Sequence, residues 1–291
     1  MKLTRSEALG QVVLLSIMTG FVAVTLYPLV HVLFAAVSEP SLLVAHRGVI
    51  LWPLGWSLQP LELLFNNPYI LSGLANSAFL IVVGVALNIV MTSVAAYVLS
   101  KRYARLVKYL TMFIVFTMLF SGGLIPLYLT VRGLGLYNTF GALIFPFFIS
   151  TFNLIILRTA FEGVPVSLDE SARIDGAGHF TILFRISVPL VMPMIAVMVL
   201  YYAVDKWNGW FYASVFLKDK ELFPLQVILR DMLIDNDVGS MMAGSENADQ
   251  MMLAQSIRYA AIVVGTVPVL LFYPFLQRYF VKGALSGAVK E

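Results

Sequence analysis

The chain has 291 residues, of which 60% are hydrophobic and only 12% are charged, whereas about 25% of the residues in an average soluble domain are charged. Its net charge of +3 is too small to indicate a nucleic-acid-binding protein, and the absence of cysteine excludes disulfides, thiolate metal sites and thiol catalysis. The three histidines are scattered without metal-ligand spacing, so no metal site is expected.

Long apolar segments free of Lys, Arg, Asp and Glu recur along the whole chain. A helix needs about 20 apolar residues to span a bilayer, and six segments are long enough. They are Leu9–Ser38, Leu63–Ser100, Tyr109–Val131, Gly133–Leu157, Ile186–Val204 and Tyr259–Gln277. The first is too long for the apolar region of a cleaved signal peptide and is interpreted as an anchor helix. The sequence predicts an all-α membrane protein with six transmembrane helices.

Three local signals modify these spans. Ser121–Pro126 contains two glycines and a proline, which predict a break in the third span. Gly133–Asn138 predicts a turn before the fourth span, and Asn66–Tyr69 predicts an interfacial segment before the second. Asn76, Asn88 and Asn153 are polar positions within the spans, and hydrogen bonds between helices are favoured over solute contact there. These signals concern the path of the helices rather than their number.

Orientation follows from the placement of Lys and Arg. Most of the 19 basic residues fall in segments that share one side when the N-terminus is placed inside, and the exceptions cluster in the long segment Lys206–Arg258. Basic residues concentrate in the short loops on the cytoplasmic side of a membrane. We therefore expect both termini to be cytoplasmic, together with the segment 162–189.

The segment 162–189 is the most densely charged part of the chain and is flanked by apolar runs. Ser167 and Glu170 have the spacing of a capping box, which predicts a helix with Ser167 as its N-cap. Gly176 and Gly178 predict its C-cap and a turn, and a second short helix is expected from about Phe180. Capping alone fits an ordinary cytoplasmic loop as well as a docking surface.

The order of residues in this segment is more specific. Glu170-Ser171-Ala172, Gly176, Ile186 and Val188-Pro189 resemble the EAA loop of ABC importer permeases, with Ser171 in place of alanine and Val188 in place of leucine. The resemblance implies a type I ABC importer permease fold, in which this loop docks in a groove on a separate ATPase subunit. By resemblance, that coupling role falls to Glu170, Ser171, Ala172, Asp175, Gly176 and Phe180.

The C-terminal tail carries a second resemblance. The segment 277–291 is similar to the tail of maltose-type carbohydrate permeases, which reaches toward the ATPase; by resemblance Gly287 and Lys290 lie near that interface. The runs at 121–126, 169–177, 207–211 and 223–226 resemble the oligosaccharide subfamily, which includes importers of uronate sugars such as alginate, aldouronate and rhamnogalacturonan fragments. The resemblance extends from about Asn76 to the end, so residues 72–291 form the expected permease core and residues 1–71 an N-terminal helix and outer loop.

Candidate residues for a solute path cluster at the end of the fifth span. Aromatic rings and hydrogen-bonding groups are mixed there, as in sugar sites, although an aromatic belt at the membrane interface explains the rings almost as well. The candidates are Tyr201, Tyr202, Asp205, Trp207, Asn208 and Trp210. The loop that follows is expected to contain a helix near residues 225–233. It fits a flexible solvated loop, whereas the resemblance to carbohydrate permeases implies that it meets a solute-binding protein. Lys206, Arg230 and Arg258 could attract an acidic solute.

The resemblance also implies the partners. They are a second and different permease subunit, two ATPase subunits that carry ATP and Mg, an external solute-binding protein and the lipid of the inner membrane. The chain itself lacks a phosphate-binding loop and known hydrolase motifs, so no enzyme activity and no bound cofactor are expected. The alternatives are a permease for another small solute and an ion-coupled secondary transporter; the nearly uncharged spans argue against the latter.

Overall fold

The computed structural model describes residues 5–101, 105–234 and 252–271, and within these ranges the chain is helical apart from loops and one isolated bridge between Ser38 and Trp56. The helices are α1 (Arg5–Ala36), α2 (Pro40–Ala45), α3 (Gln59–Phe65), α4 (Pro68–Ser100), α5 (Arg105–Leu119), α6 (Leu124–Gly133), α7 (Gly141–Phe147), α8 (Thr151–Glu162), α9 (Val166–Ile174), α10 (His179–Leu190), α11 (Met192–Asn208), α12 (Trp210–Phe216), α13 (Leu225–Ile234) and α14 (Met252–Leu271).

Three described helices, α1, α4 and α14, are long and apolar enough to cross a membrane by themselves. Three further candidates are bent pairs, with angles of 113° between α5 and α6, 49° between α7 and α8, and 87° between α10 and α11. When each pair is counted as one span, the described residues contain up to six by length and composition. The all-helical class is confirmed.

The breaks coincide with residues that interrupt helical hydrogen bonding. Gly123 has a φ of +86° between α5 and α6, which confirms the predicted break at Ser121–Pro126. Pro146 lies in the 3₁₀ turn that ends α7, and Pro189 and Pro193 flank the bend at Val191. The last two breaks were not anticipated from the sequence. In addition, α4 and α10 contain π-helical turns at Leu80–Gly84 and Ile182–Ser187.

The predicted turn before α7 is confirmed and is centred on Asn138, which has a φ of +60°. The Oδ1 atom of Asn138 accepts hydrogen bonds from the backbone N–H groups of Lys218 (2.8 Å) and Asp219 (3.1 Å). Its Nδ2 atom donates to Oδ2 of Asp219 at 2.7 Å. One amide therefore joins this turn to the segment after α12.

The described residues divide into two compact units. The first comprises residues 5–70, 229–234 and 252–267. Its apolar cluster contains Ala35, Leu43 and Ile50, with Leu54 and Tyr259 packed against them. Ser38 stabilises the chain after α1, because its hydroxyl donates to Phe34 O and accepts from Leu54 N–H.

The second unit comprises residues 71–101, 105–228 and 268–271 and contains two apolar clusters. The first, which we call the inner cluster, joins the C-terminal half of α4 to α8, α9, α10 and α11 through residues that include Tyr97, Leu157, Ala172, Ile182 and Met198. The other joins the π turn of α4 to α6, α7, α12 and α13. The predicted helix near residues 225–233 is confirmed as α13.

Gly73 permits close packing between α4 and α13. A Cβ atom on Gly73 would overlap the Cδ1 atom of Ile228 and would lie 3.2 Å from the backbone Cα of Leu225. We expect Gly73→Leu to lower the unfolding free energy by about 1–3 kcal/mol, because overpacking forces the backbone apart. Thermal unfolding of the purified protein in detergent measures the change. Gly20→Leu is the matched control, since nothing lies within 4 Å of a Cβ there; equal midpoints for the two variants would contradict the prediction.

Candidate functional site

The helix α9, at the centre of the 162–189 segment, begins two residues earlier than predicted. Its N-cap is Pro165, with a φ of −57°, and no side chain caps it. The N–H of Leu168 donates to Pro165 O at 3.2 Å, so Ser167 already lies inside the first turn. The predicted capping box of Ser167 and Glu170 is therefore wrong, because the φ fixed by proline starts the helix at Val166.

The C-terminal end of α9 matches the prediction. Gly176 has a φ of +82°, a left-handed conformation that favours glycine. Its N–H donates to Arg173 O at 3.0 Å, and the N–H of Ala177 donates to Ala172 O at 2.9 Å. These two bonds form a Schellman motif, which ends the helix and turns the chain. Gly178 then serves as the N-cap of α10.

The predicted coupling residues occupy two faces of this loop. Ala172 is 8% exposed and packs into the inner cluster. The others are exposed and lie on the outward side: Glu170, Ser171, Asp175, Gly176 and Phe180. Two large apolar side chains in this polar segment are highly exposed, Phe180 at 72% and Ile174 at 86%. Ile174 was not among the residues predicted from the sequence. The signal available there was its position just before Asp175-Gly176, where the helix was expected to end.

The opposite face of α9 is held by Asp169. Oδ1 of this carboxylate accepts hydrogen bonds from Lys101 Nζ at 2.9 Å and from the Tyr97 hydroxyl at 3.2 Å, and Oδ2 lies 3.3 Å from an Nη atom of Arg173. Burial acts to raise the pKa of Asp169, but Lys101, Tyr97 and Arg173 outweigh it and hold the pKa below its ordinary value of 3.8. The resulting stability is present above the ordinary pKa and is lost only as the pH falls through the lower folded-state value.

A second polar contact lies at the start of the loop. Arg158 and Glu162, four residues apart on α8, form an ion pair of 2.8 Å. Arg158 also donates to the hydroxyl of Thr111 on α5 at 3.0 Å. The end of α8 is thus joined to α5 just before the chain enters the loop.

A cavity of about 1140 Å³ lies within the second unit, between α4, the α7–α8 break and α11. Five predicted path residues line it: Tyr201, Tyr202, Asp205, Trp207 and Asn208. Trp210 is not among its lining residues. The rest of the wall includes side chains that the sequence did not indicate as path residues: Pro146, Phe147, Ser150, Phe152 and Tyr212.

Side chains from α4 and α11 hold the α7–α8 break that forms one wall of the cavity. Asn88 is fully buried, and its Nδ2 donates to the carbonyls of Phe147 (2.6 Å) and Phe148 (2.9 Å). The Tyr202 hydroxyl lies 2.7 Å from the Thr92 hydroxyl and accepts the Ser150 N–H at 3.0 Å. The expectation that Asn88 makes hydrogen bonds between helices is therefore confirmed.

The Nδ2 atom of Asn76 donates to the carbonyls of Glu221 (2.7 Å) and Phe223 (3.1 Å), which lie in the segment between α12 and α13 rather than in another span. Asn153, in contrast, lines the cavity. Lys206 is only 9% exposed and donates to Leu143 O at 2.7 Å. Lys206 is therefore a buried residue bound to a carbonyl of α7, and its attraction of an acidic solute stays a prediction.

Two sets of predicted residues lie outside the described part of the chain. Gly287 and Lys290 belong to the tail, and residues 235–251 belong to the segment expected to meet a solute-binding protein. Their predicted roles rest on the sequence alone.

A family model described as "Binding-protein-dependent transport system inner membrane component" matches residues 81–285. This range contains the 162–189 loop, the α7–α8 break and every predicted path residue. The chain belongs to this family. The permease is thus an inner membrane component of a binding-protein-dependent transport system, and its multiple apolar helices agree with that location.

Similar proteins cover nearly the whole permease. It is 42% identical over 278 residues to the polygalacturonan/rhamnogalacturonan transport system permease protein YtcP of Bacillus subtilis (strain 168), covering 93% of this chain and 94% of YtcP. It is 39% identical over 275 residues to the protein LplC of the same organism, covering 93% and 91%. Its fold matches a chain of a bacterial ABC transporter involved in alginate import, with a TM-score of 0.86, 30% identity and coverage of 96% and 99%. The predicted resemblance to ABC permeases is confirmed.

Proposed function

We propose that the permease forms half of the membrane pathway of an ATP-driven importer of oligosaccharides. The observation that carries this proposal is the family match over residues 81–285, together with 42% identity to a polygalacturonan/rhamnogalacturonan permease. The matched alginate transporter supports the same class of solute. The three solutes named for these proteins are acidic polysaccharides, which makes a uronate-bearing oligosaccharide the first substrate to test.

In this proposal α1, α4, α14 and the three bent pairs form six spans, with both termini in the cytoplasm. A second, different permease subunit completes the pathway, and an external binding protein delivers the solute. Two ATPase subunits bind ATP and Mg, so this chain supplies neither catalysis nor a cofactor site. The core would comprise residues 72–291, with residues 1–71 as a peripheral helix and outer loop.

The 162–189 loop is the proposed contact with the ATPase. A loop that faced only water would gain nothing from exposing Ile174 and Phe180, whereas a docking surface gains apolar burial there. The exposed carboxylates of Glu170 and Asp175 add charge at its rim. ATP binding would close the ATPase subunits, displace this loop and tilt the spans between inward-open and outward-open states. The tail, including Gly287 and Lys290, is proposed to reach the same interface.

The cavity is the proposed solute path. Tyr201, Trp207 and Tyr212 offer aromatic faces on which sugar rings stack, while Asn208 and Ser150 offer groups for sugar hydroxyls. Asp205 is the one side chain with a formal charge in the described lining. This wall therefore favours hydroxyl-rich faces of a sugar, and the carboxylates of an acidic solute would face the partner permease.

Uptake by the assembled complex in proteoliposomes tests the proposal. We expect ATP-dependent import of uronate or neutral oligosaccharides, and competition between the two identifies the preferred class. The ATPase should co-purify with the permease. Glu170→Lys should weaken this association, whereas Glu62→Lys, an exposed charge reversal on α3, should leave it unchanged. Uptake driven by an ion gradient, without any ATPase, would instead support a secondary transporter.

A further inference from the structure

Asp169 differs from Glu170 and Asp175, the two exposed acidic residues of the 162–189 loop, because it points away from the proposed docking face. Its side chain is 13% exposed, and that of Lys101, its partner at 2.9 Å, is 20% exposed. Lys101 follows the last residue of α4, and Asp169 lies in α9. The ion pair therefore joins these two helices through residues that are 68 positions apart in the sequence. Glu170, the next residue, is exposed.

The ion pair is held in one geometry by its surroundings. The Tyr97 hydroxyl donates to the same Oδ1 atom that accepts from Lys101, and Lys101 Nζ lies 4.2 Å from the centre of the Tyr97 ring. That ring in turn packs edge-on against Phe161 of α8. Exposed ion pairs contribute little because long side chains must be ordered. Here a partly buried cluster already orders both partners.

The helix α4, which carries Tyr97, also reaches the cavity wall. From Thr92 to Lys101 the chain advances about 13 Å along α4 at 1.5 Å per residue. Thr92 contacts the Tyr202 hydroxyl, and Asn88, one turn earlier, donates to two carbonyls of the α7–α8 break. Residues 85–100 form one uninterrupted α-helical stretch. One end therefore contacts α9, and the other contacts the break beside the proposed solute path.

We propose that Lys101 is a positioning residue that ties α9 to α4 through Asp169, and that this tie transmits displacement of the 162–189 loop to the cavity wall. The inference rests on the proposed function, since it assumes that an ATPase moves the loop. A contiguous set of contacts is not by itself evidence of energetic coupling, so the proposal requires a double-mutant cycle.

The experiment measures uptake and ATP hydrolysis together in proteoliposomes containing the full complex and its binding protein. Lys101→Met and Asp169→Asn should each leave assembly intact but raise the ATP hydrolysed per solute imported about tenfold, which corresponds to about 1.4 kcal/mol. The double variant should lose no more than either single variant, because both remove the same contact. Lys101→Arg should retain the coupling of the wild type, since arginine also pairs with a carboxylate.

Glu62→Gln provides the control. It removes an exposed carboxylate from α3, outside the 162–189 loop and the solute path. We expect its ATP-to-solute ratio to match the wild type. A role of Lys101 in stability alone would lower complex yield or the unfolding midpoint without changing that ratio, and this outcome would overturn the proposal.

Failure of the underlying function gives a different result. If the wild-type complex imports no oligosaccharide with ATP, the proposed function itself fails. If the wild type is coupled and Lys101→Met is equally coupled, only the tie is refuted. Additive losses in the double variant would also refute it, because independent effects cannot come from one shared contact.

Discussion

Replacement of Gly176 by proline is expected to abolish uptake while the chain still inserts in the membrane. Gly176 adopts a φ of +82°, whereas proline is restricted to about −65°. Proline also lacks the N–H that Gly176 donates to Arg173 O. Both the turn and a bond of the Schellman motif would be lost, so α9 and Phe180 could no longer present one surface to the ATPase. Uptake by proteoliposomes, measured beside the amount of inserted protein, tests this.

Gly178→Pro is the matched control, two residues along the same loop. The φ of Gly178 is −72°, which proline can adopt, and nothing lies within 4 Å of a Cβ at that position. We expect this variant to retain most of its uptake. Gly176→Ala should be intermediate, because a left-handed conformation costs a non-glycine residue about 1–2 kcal/mol. Full uptake by Gly176→Pro would show that the shape of this loop is not needed for transport.

Asn88→Leu is expected to have the second large effect, on both stability and uptake. The change keeps the approximate size of the side chain but removes two donors from the carbonyls of Phe147 and Phe148. Each buried group left without a partner costs about 1–3 kcal/mol, and hydrogen bonds between membrane helices average about 0.6 kcal/mol. We therefore expect a loss of about 2 kcal/mol in unfolding free energy, with a disordered cavity wall and reduced uptake.

Asn76→Leu tests whether the burial of the asparagine, in addition to its hydrogen bonds, determines the loss of stability. Asn76 also donates to two backbone carbonyls, those of Glu221 and Phe223, but it is only partly buried. Water can replace its hydrogen bonds, so its unfolding midpoint should fall less than that of Asn88→Leu. Thermal unfolding in detergent and uptake are measured for both. A larger fall in the unfolding midpoint for Asn76→Leu than for Asn88→Leu would contradict this prediction.

The helical class and the turn at Gly176 were accessible from the sequence because each has a local cause. Charge-free runs mark helices that can enter lipid, and a glycine after an amphipathic segment marks a left-handed C-cap. The predicted N-cap of α9 was wrong by two residues, since Pro165 and Ser167 can both mark the start of a helix. Ser167 carries the commoner capping side chain, but the proline φ determined where the helix begins.

The cavity was predictable on one side only. Tyr201, Tyr202, Asp205 and Asn208 are neighbours on one helix, so their grouping follows from spacing. The opposite wall is an apolar run broken near Pro146, and the side chains that hold the break are far away in sequence: Asn88 and Phe147 are 59 positions apart. The burial of Lys206 was not predicted for a related reason, because only tertiary structure brings the Leu143 carbonyl to its ammonium group.

The number of residues in the π-helical turn at Leu80–Gly84 sets how the two parts of α4 are rotated relative to each other. An α-helix rotates by about 100° for each residue, so a deletion there would turn one part of α4 against the other by that angle. Asn88 could not then face Phe147 while Asn76, on the other side of the turn, still donated to the carbonyls of Glu221 and Phe223. Homologous chains that keep both contacts are therefore expected to align across Leu80–Gly84 without an insertion or a gap.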